Sequence, residues 1–164
     1  MMKVASLKRF SSLLNRVLMA IGGLFLGAMV VLTCANIFLR SVWVPIRGTF
    51  ELMGFAGAVV TAFALGRTQQ AKGHIAVDVL LNVLSPHLRK VLMMTSHCLC
   101  ALFFSLAAWQ VAQKAMVLMN TGEVTETLRM IYYPFTFAVA LGCVALALSL
   151  IIDVIAMLYP EKVD

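Results

Sequence analysis

Four long runs of apolar residues constrain the fold of this chain more than any other feature of its sequence. A helix of about 23 residues, the length of the first run, covers roughly 35 Å and crosses the ~30 Å hydrocarbon core of a bilayer. The chain is 62% hydrophobic and only 12% charged, which is too apolar for a soluble domain of its size. The sequence therefore predicts an all-α integral membrane protein, one domain over residues 1–164, with four transmembrane helices at about 17–39, 50–66, 91–113 and 134–158.

The distribution of Lys and Arg predicts how the four spans are oriented. Cytoplasmic segments of membrane proteins carry an excess of these two residues. With four spans, nine of the 13 lie on the side of the N-terminus and four on the other side, so we expect both termini to be inside. In a soluble protein the net charge of +6 would suggest a nucleic-acid partner. Here the positive residues flank apolar runs, and no nucleic-acid binding is expected.

Two of the connections between the predicted spans carry distinctive polar residues. Between the second and third spans, His74, Asp78 and Asn82 recur every four residues. This spacing gives one polar stripe on a helix that is too short to cross the membrane. We therefore expect a short amphipathic helix, or an extension of the second span, in which His74 pairs with Asp78. The longest polar connection is predicted at residues 114–129, before the fourth span.

Polar residues near the ends of the spans are candidates for functional roles. If the second helix begins near Gly48, Arg47 and Glu51 lie about one turn apart and are placed to form an ion pair at the membrane interface. Glu51 is alternatively an anchor for a partner subunit or a proton-coupling carboxylate. His97 is expected to be a hydrogen-bonded packing residue, and Asp153 is expected either to snorkel or to pair with a basic residue at the inner surface.

The residues on which enzymes and metalloproteins depend are sparse in this chain. Thiol-dependent membrane enzymes need cysteine pairs at the outer face, but all four cysteines lie inside apolar runs: Cys34, Cys98, Cys100 and Cys143. A haem-carrying four-helix subunit needs facing histidines within its spans, and only His97 qualifies. We therefore expect no enzyme activity, no catalytic, substrate-binding or metal site, and no cofactor.

Two interpretations of the chain as a protein without catalytic activity remain, a stand-alone transporter and an accessory subunit. Coupled transporters usually place their sites near the midplane, on interrupted helices and within internal repeats, and the sequence shows neither a repeat nor a midplane acid. A stand-alone small dimeric exporter that uses Glu51 stays open as an alternative. An accessory scaffold subunit explains inert apolar spans whose polar residues are confined to the ends and connections.

Short motifs near the ends of the spans give the chain a resemblance to a known family. The motifs are Asn36-Ile-Phe-Leu-Arg40, Glu51, Gly73-His74-Ile75-Ala76-Val77-Asp78, Gly122, Leu128 and Pro134. In these motifs, in its length and in its four spans, the chain resembles the small membrane (DctQ-like) subunit of tripartite ATP-independent periplasmic (TRAP) transporters. The resemblance covers most of the chain.

This resemblance implies a function and a set of partners. In such a transporter a periplasmic binding protein captures an organic anion of the carboxylate type. A large membrane subunit then carries the anion inward by an elevator-like motion that is coupled to sodium. The small subunit packs beside it as a scaffold, among the lipids of the bacterial inner membrane. Within that role we expect Arg40, Arg47 and Glu51 to order the outer ends of the first two spans. We expect His74 and Asp78 to order the inner connection.

Overall fold

Four long helices form the part of the chain that the computed structural model describes, residues 2–71 and 85–158. They are α1 (Met2–Val42), α2 (Thr49–Gln70), α3 (Pro86–Thr121) and α4 (Tyr133–Leu158). By length and composition, each of the four is able to cross a membrane. The prediction of an all-α membrane protein with four spans is confirmed. The amphipathic helix expected near His74 lies outside the described residues.

Two helices are longer than the apolar runs that predicted them. Helix α1 starts at Met2, and α3 continues to Thr121. The second extension shortens the expected polar connection, which begins at Gly122 and not at Lys114. The last turns of α3 are helical because Ala115 and Leu118, 0% and 6% exposed, pack into the bundle. Gly122 then ends the helix in a left-handed conformation (φ 65°), and its N–H donates to the Leu118 carbonyl over 3.1 Å.

Helix α4 is the centre of the bundle and contacts the other three helices. Half of its most apolar stretch is buried, compared with 11% for the corresponding stretches of α1 and α3. Helix α2 packs against both α1 and α4. The main core cluster consists of Leu18, Val59, Ala62, Phe63 and Ala145. Helices α1 and α3 therefore present most of their surface outward, as expected of helices that face lipid or a membrane partner.

A close approach of two backbones holds α2 against α4. A Cβ built on Gly142 of α4 would lie 2.5 Å from the carbonyl oxygen of Ala62 in α2. Small residues at such a crossing let transmembrane helices gain van der Waals contact. The small-residue pair of α1 is different, because Gly23 and Gly27 are exposed and have nothing within 4 Å of a built Cβ. That pair makes no helix contact within the described chain.

Candidate functional site

The two ends of the bundle hold different polar structures. At one end, here called the Glu51 end, lie the α1–α2 connection and the α3–α4 loop, residues 122–132. At the other, here called the Asn15 end, polar side chains from all four helices meet between the helices.

Glu51 joins the start of α2 to the α3–α4 loop. Its Oε1 accepts a hydrogen bond from the backbone N–H of Thr127 over 2.8 Å, and its Oε2 accepts one from Leu128 over 3.0 Å. Hydrogen bonds to an ionised carboxylate are stronger than those between neutral groups. One side chain therefore fixes two neighbouring backbone groups that lie 76 and 77 residues away in sequence.

The ion pair expected between Arg47 and Glu51 does not form. Helix α2 begins at Thr49, and Gly48 before it adopts a left-handed conformation (φ 73°). Arg47 is thus not on the helix, and the one-turn spacing that predicted the pair does not apply. Arg47 is exposed, as is Arg40 at the end of α1. Neither side chain makes a hydrogen bond or ion pair within residues 2–71 and 85–158.

The α3–α4 loop has its own internal structure. Val124 and Ile131 form an antiparallel bridge, and the N–H of Thr125 donates to the Met130 carbonyl over 2.9 Å. The Thr125 hydroxyl, on a residue only 2% exposed, accepts the Met130 N–H over 3.1 Å. Leu128 then packs over Gly48, where a built Cβ would overlap its side chain. The loop is therefore a folded unit seated on the start of α2.

Two further sets of contacts tie the connections at the Glu51 end together. Asn36, which opens the motif that closes α1, accepts the backbone N–H of Ile46 at Oδ1 over 2.8 Å. In addition, Phe55 of α2 stacks on Phe135 of α4 with ring centroids 4.5 Å apart and meets the edge of Tyr132 at 5.3 Å. These ring contacts join the α3–α4 loop and the start of α4 to α2.

The Asn15 end contains a polar cluster that sequence reasoning missed. Asn15 is fully buried (0% exposed), and its Nδ2 donates to the Ser149 hydroxyl over 2.9 Å and to the Ser11 carbonyl over 3.0 Å. The Ser11 hydroxyl lies 3.2 Å from that of Ser149 and accepts from Gln70 over 3.0 Å. Since the Ser149 hydroxyl donates to the Ala145 carbonyl, it accepts from both residues of α1. The cluster joins α1, α2 and α4.

One signal in the sequence could have found this cluster. Ser11 and Asn15 are four residues apart and share a helix face. The apolar run that predicts the first span begins at Val17, so both residues lie before it. In the structure they lie on the buried face of α1. The Oδ1 of Asn15 lies against Gly66 of α2, where a built Cβ would overlap it, and has no hydrogen-bond partner in the described chain.

A second set of hydrogen bonds joins α2, α3 and α4. His97 Nδ1 lies 2.8 Å from the Met93 carbonyl, which only accepts, so Nδ1 carries the proton. In the neutral ring His97 Nε2 is then an acceptor, and the Gln69 side-chain amide donates to it over 3.3 Å and to Asp153 Oδ2 over 3.0 Å. The prediction that His97 is a hydrogen-bonded packing residue is confirmed. The basic partner expected for Asp153 is replaced by Gln69.

Two predicted site residues, His74 and Asp78, lie outside the described residues. Within residues 2–71 and 85–158 there is also no group of three or more His, Cys, Asp or Glu side chains that is placed to hold a metal ion. In that part of the chain the polar side chains described above act between helices or between a helix and a loop.

These features define a class of protein, a multi-pass membrane protein whose apolar helices are fastened at both ends by buried or partly buried polar contacts. The family model for the DctQ component of the tripartite ATP-independent periplasmic transporters matches residues 29–158. The chain belongs to this family, and it is a small membrane subunit of a TRAP transporter. Comparison with curated proteins and with solved structures found no significant match.

The family match includes the whole Glu51 end. It covers the Asn36 contact, Glu51 and the complete α3–α4 loop. Residues 2–28, with Ser11 and Asn15, lie before the matched region. The Glu51 end lies completely within the matched region, and it is the candidate functional site.

Proposed function

We propose that this chain acts as a scaffold in a sodium-coupled TRAP transporter that imports an organic anion of the carboxylate type. The observation that carries the proposal is the position of Glu51. A carboxylate that moves protons or substrate must be free to exchange partners, whereas this one accepts two backbone N–H groups of the α3–α4 loop. Its role is to hold the loop in place, and the exporter that would depend on Glu51 loses its candidate residue.

The outward surfaces support a partner within the membrane. Large apolar side chains are exposed along α1 and α3, among them Leu24, Val31, Leu102 and Phe103 at 60–75% exposure. Lipid covers part of such a surface, and we propose that the large membrane subunit covers another part. Substrate and sodium then pass through that subunit, and no catalytic role is assigned to this chain.

The proposed orientation places the Glu51 end in the periplasm of a bacterial cell and both termini in the cytoplasm. It rests on the excess of Lys and Arg on the side of the N-terminus. In this orientation the α3–α4 loop and residues 43–48 face the periplasmic binding protein. A folded loop presents a fixed surface to such a partner at a lower entropic cost than a flexible loop does. We infer that this is why Glu51 holds the loop.

Affinity purification from the native membrane tests the proposal. We expect a larger, many-span protein to be recovered in equal amount with the tagged chain, and transport of the organic anion to require both. In the Glu51→Ala variant we expect the large subunit to be retained and transport driven by the binding protein to fall. Recovery of the tagged chain alone, as a stable homodimer that transports by itself, would overturn the scaffold role.

A further inference from the structure

The N-terminal part of α1 extends beyond the membrane span. Helix α1 has 41 residues, which at 1.5 Å per residue is about 60 Å, roughly twice the thickness of the hydrocarbon core. Its other end is placed by Trp43, which follows the helix, is 81% exposed and suits a membrane interface. Arg16 lies about 39 Å along the axis from Val42, so the N-terminal arm, residues 6–16, starts at the level of the opposite headgroups at Arg16 and extends outward from there.

One face of the arm is fixed to the bundle. Ser11 and Asn15 are 2% and 0% exposed and bond to α2 and α4 as described above. The arm is thus held along the bundle at the level where α2 ends, at Gln70. The rest of the surface of the arm is turned outward.

The outward surface of the arm is divided into a basic face and an apolar face. At 3.6 residues per turn, Lys8, Arg9 and Arg16 fall on one side of the helix, and all three are exposed. Their side chains make no hydrogen bond or ion pair with the described residues. The apolar face carries Leu7, Phe10, Leu13 and Val17, which are 41–61% exposed.

The apolar face continues without interruption into the outward surface of the span. Leu24 and Val31, at 75% and 69% exposure, extend the line of Leu13 and Val17. An acyl chain that lies along the span therefore reaches the arm, and its phosphate arrives at the level of Arg16, the end of the basic face nearest the membrane, with Lys8 and Arg9 about 10–12 Å further out along the axis. Basic side chains at this depth attract anionic lipids, and their long apolar stems lie along the hydrocarbon.

We propose that the N-terminal arm binds an anionic phospholipid. Lys8, Arg9 and Arg16 hold the phosphate, and the face that includes Leu13 and Val17 carries an acyl chain. The lipid would fix the depth of α1 in the membrane and, through Ser11 and Asn15, the ends of α2 and α4. The site is independent of the transport role proposed above, because it needs only this chain and the lipid.

Lipid selectivity of the full chain in phosphatidylcholine nanodiscs tests the site. Spin-labelled phosphatidylglycerol and phosphatidylcholine are compared by the fraction of each label that the protein immobilises. We expect the wild-type chain to prefer phosphatidylglycerol by at least about fivefold, the contribution of one basic residue near an anionic surface. In the triple variant Lys8→Gln, Arg9→Gln, Arg16→Gln we expect this preference to be lost.

A matched triple variant separates the site from general charge attraction. Arg40→Gln, Arg47→Gln, Lys114→Gln removes the same charge from three exposed residues outside the arm, and we expect it to retain the preference. An equal loss in both triple variants would overturn the proposal, as would a wild-type chain without any preference. Loss of the preference in millimolar inorganic phosphate, at constant ionic strength, would show a site for free phosphate instead. If only the arm variant lost co-purification with the large subunit while lipid selectivity was unchanged, the arm would be a protein-docking surface.

Discussion

At the scale of single residues, Glu51 makes a contact with the α3–α4 loop that neither its charge nor its neighbours in sequence would suggest. Its two oxygens accept hydrogen bonds from the N–H groups of Thr127 and Leu128. No other carboxylate in the described residues joins this loop to α2. We expect Glu51→Ala to speed deuterium uptake at these two amides and Glu51→Gln, which keeps one acceptor oxygen, to speed it less. Hydrogen exchange resolved to residues 125–130 measures this. Glu126→Ala is the control, since the Glu126 side chain is exposed in the same loop and makes no hydrogen bond or ion pair with the described residues.

Gly48 is a second position where one residue decides the local structure. Its φ of 73° disfavours any residue with a Cβ, by about 1–2 kcal/mol, and a Cβ would also overlap Leu128. Gly122 has a similar φ of 65° but nothing within 4 Å of a built Cβ. We therefore expect Gly48→Ala to lower the thermal stability in detergent more than Gly122→Ala does. The double variant Gly48→Ala, Leu128→Ala relieves the overlap. Equal stability of the Gly48→Ala and Gly122→Ala variants would contradict this account.

At the scale of helices, the crossing of α2 and α4 depends on the absence of side-chain atoms. A Cβ at Gly142 meets the backbone oxygen of Ala62 at 2.5 Å, and backbone cannot move aside as a flexible side chain does. We expect Gly142→Ala to destabilise the bundle by about 1–3 kcal/mol, the usual cost of overpacking. Gly23→Ala is the matched control, because Gly23 is also in a helix but has open space around it. Thermal unfolding in micelles compares the two, and a loss of the same size at Gly23 would contradict the role of the crossing.

The amide of Gln69 adds hydrogen bonds to the apolar packing that holds α3 against its neighbours. That amide donates to His97 on α3 and to Asp153 on α4, and hydrogen bonds between transmembrane helices contribute about 0.6–1.7 kcal/mol each. Gln69→Leu should thus cost about 1–3 kcal/mol of stability in total. Gln113→Leu, at an exposed position of α3, should cost nothing measurable. A neutral Gln69→Leu would show that apolar packing alone holds α3.

The helices were predictable from the sequence to the extent that hydropathy determines them. Four apolar runs predicted four spans, but hydropathy gives no information on buried turns beyond the apolar run, such as the one that carries Ala115 and Leu118. The contacts of the candidate site were not predictable by local spacing. Arg47 was the nearest partner for Glu51 in sequence, but a left-handed glycine breaks the helix between them, and the true partners come from a loop 76 residues away. Pairing over such distances follows from helix packing and not from helix periodicity.

At the scale of the whole molecule, the two polar ends must lie on opposite sides of the membrane, and their charge predicts which side each one faces. We expect the α3–α4 loop outside and the end of α2 inside, because Lys and Arg are concentrated on the latter side. In a cysteine-free background, Glu126→Cys should react with a membrane-impermeant maleimide in intact cells. Ala71→Cys, exposed just after α2, should react only after permeabilisation. The reverse pattern would place the Glu51 end in the cytoplasm, where a periplasmic binding protein cannot reach the loop, and would remove the proposed docking role while leaving the four-helix fold unchanged.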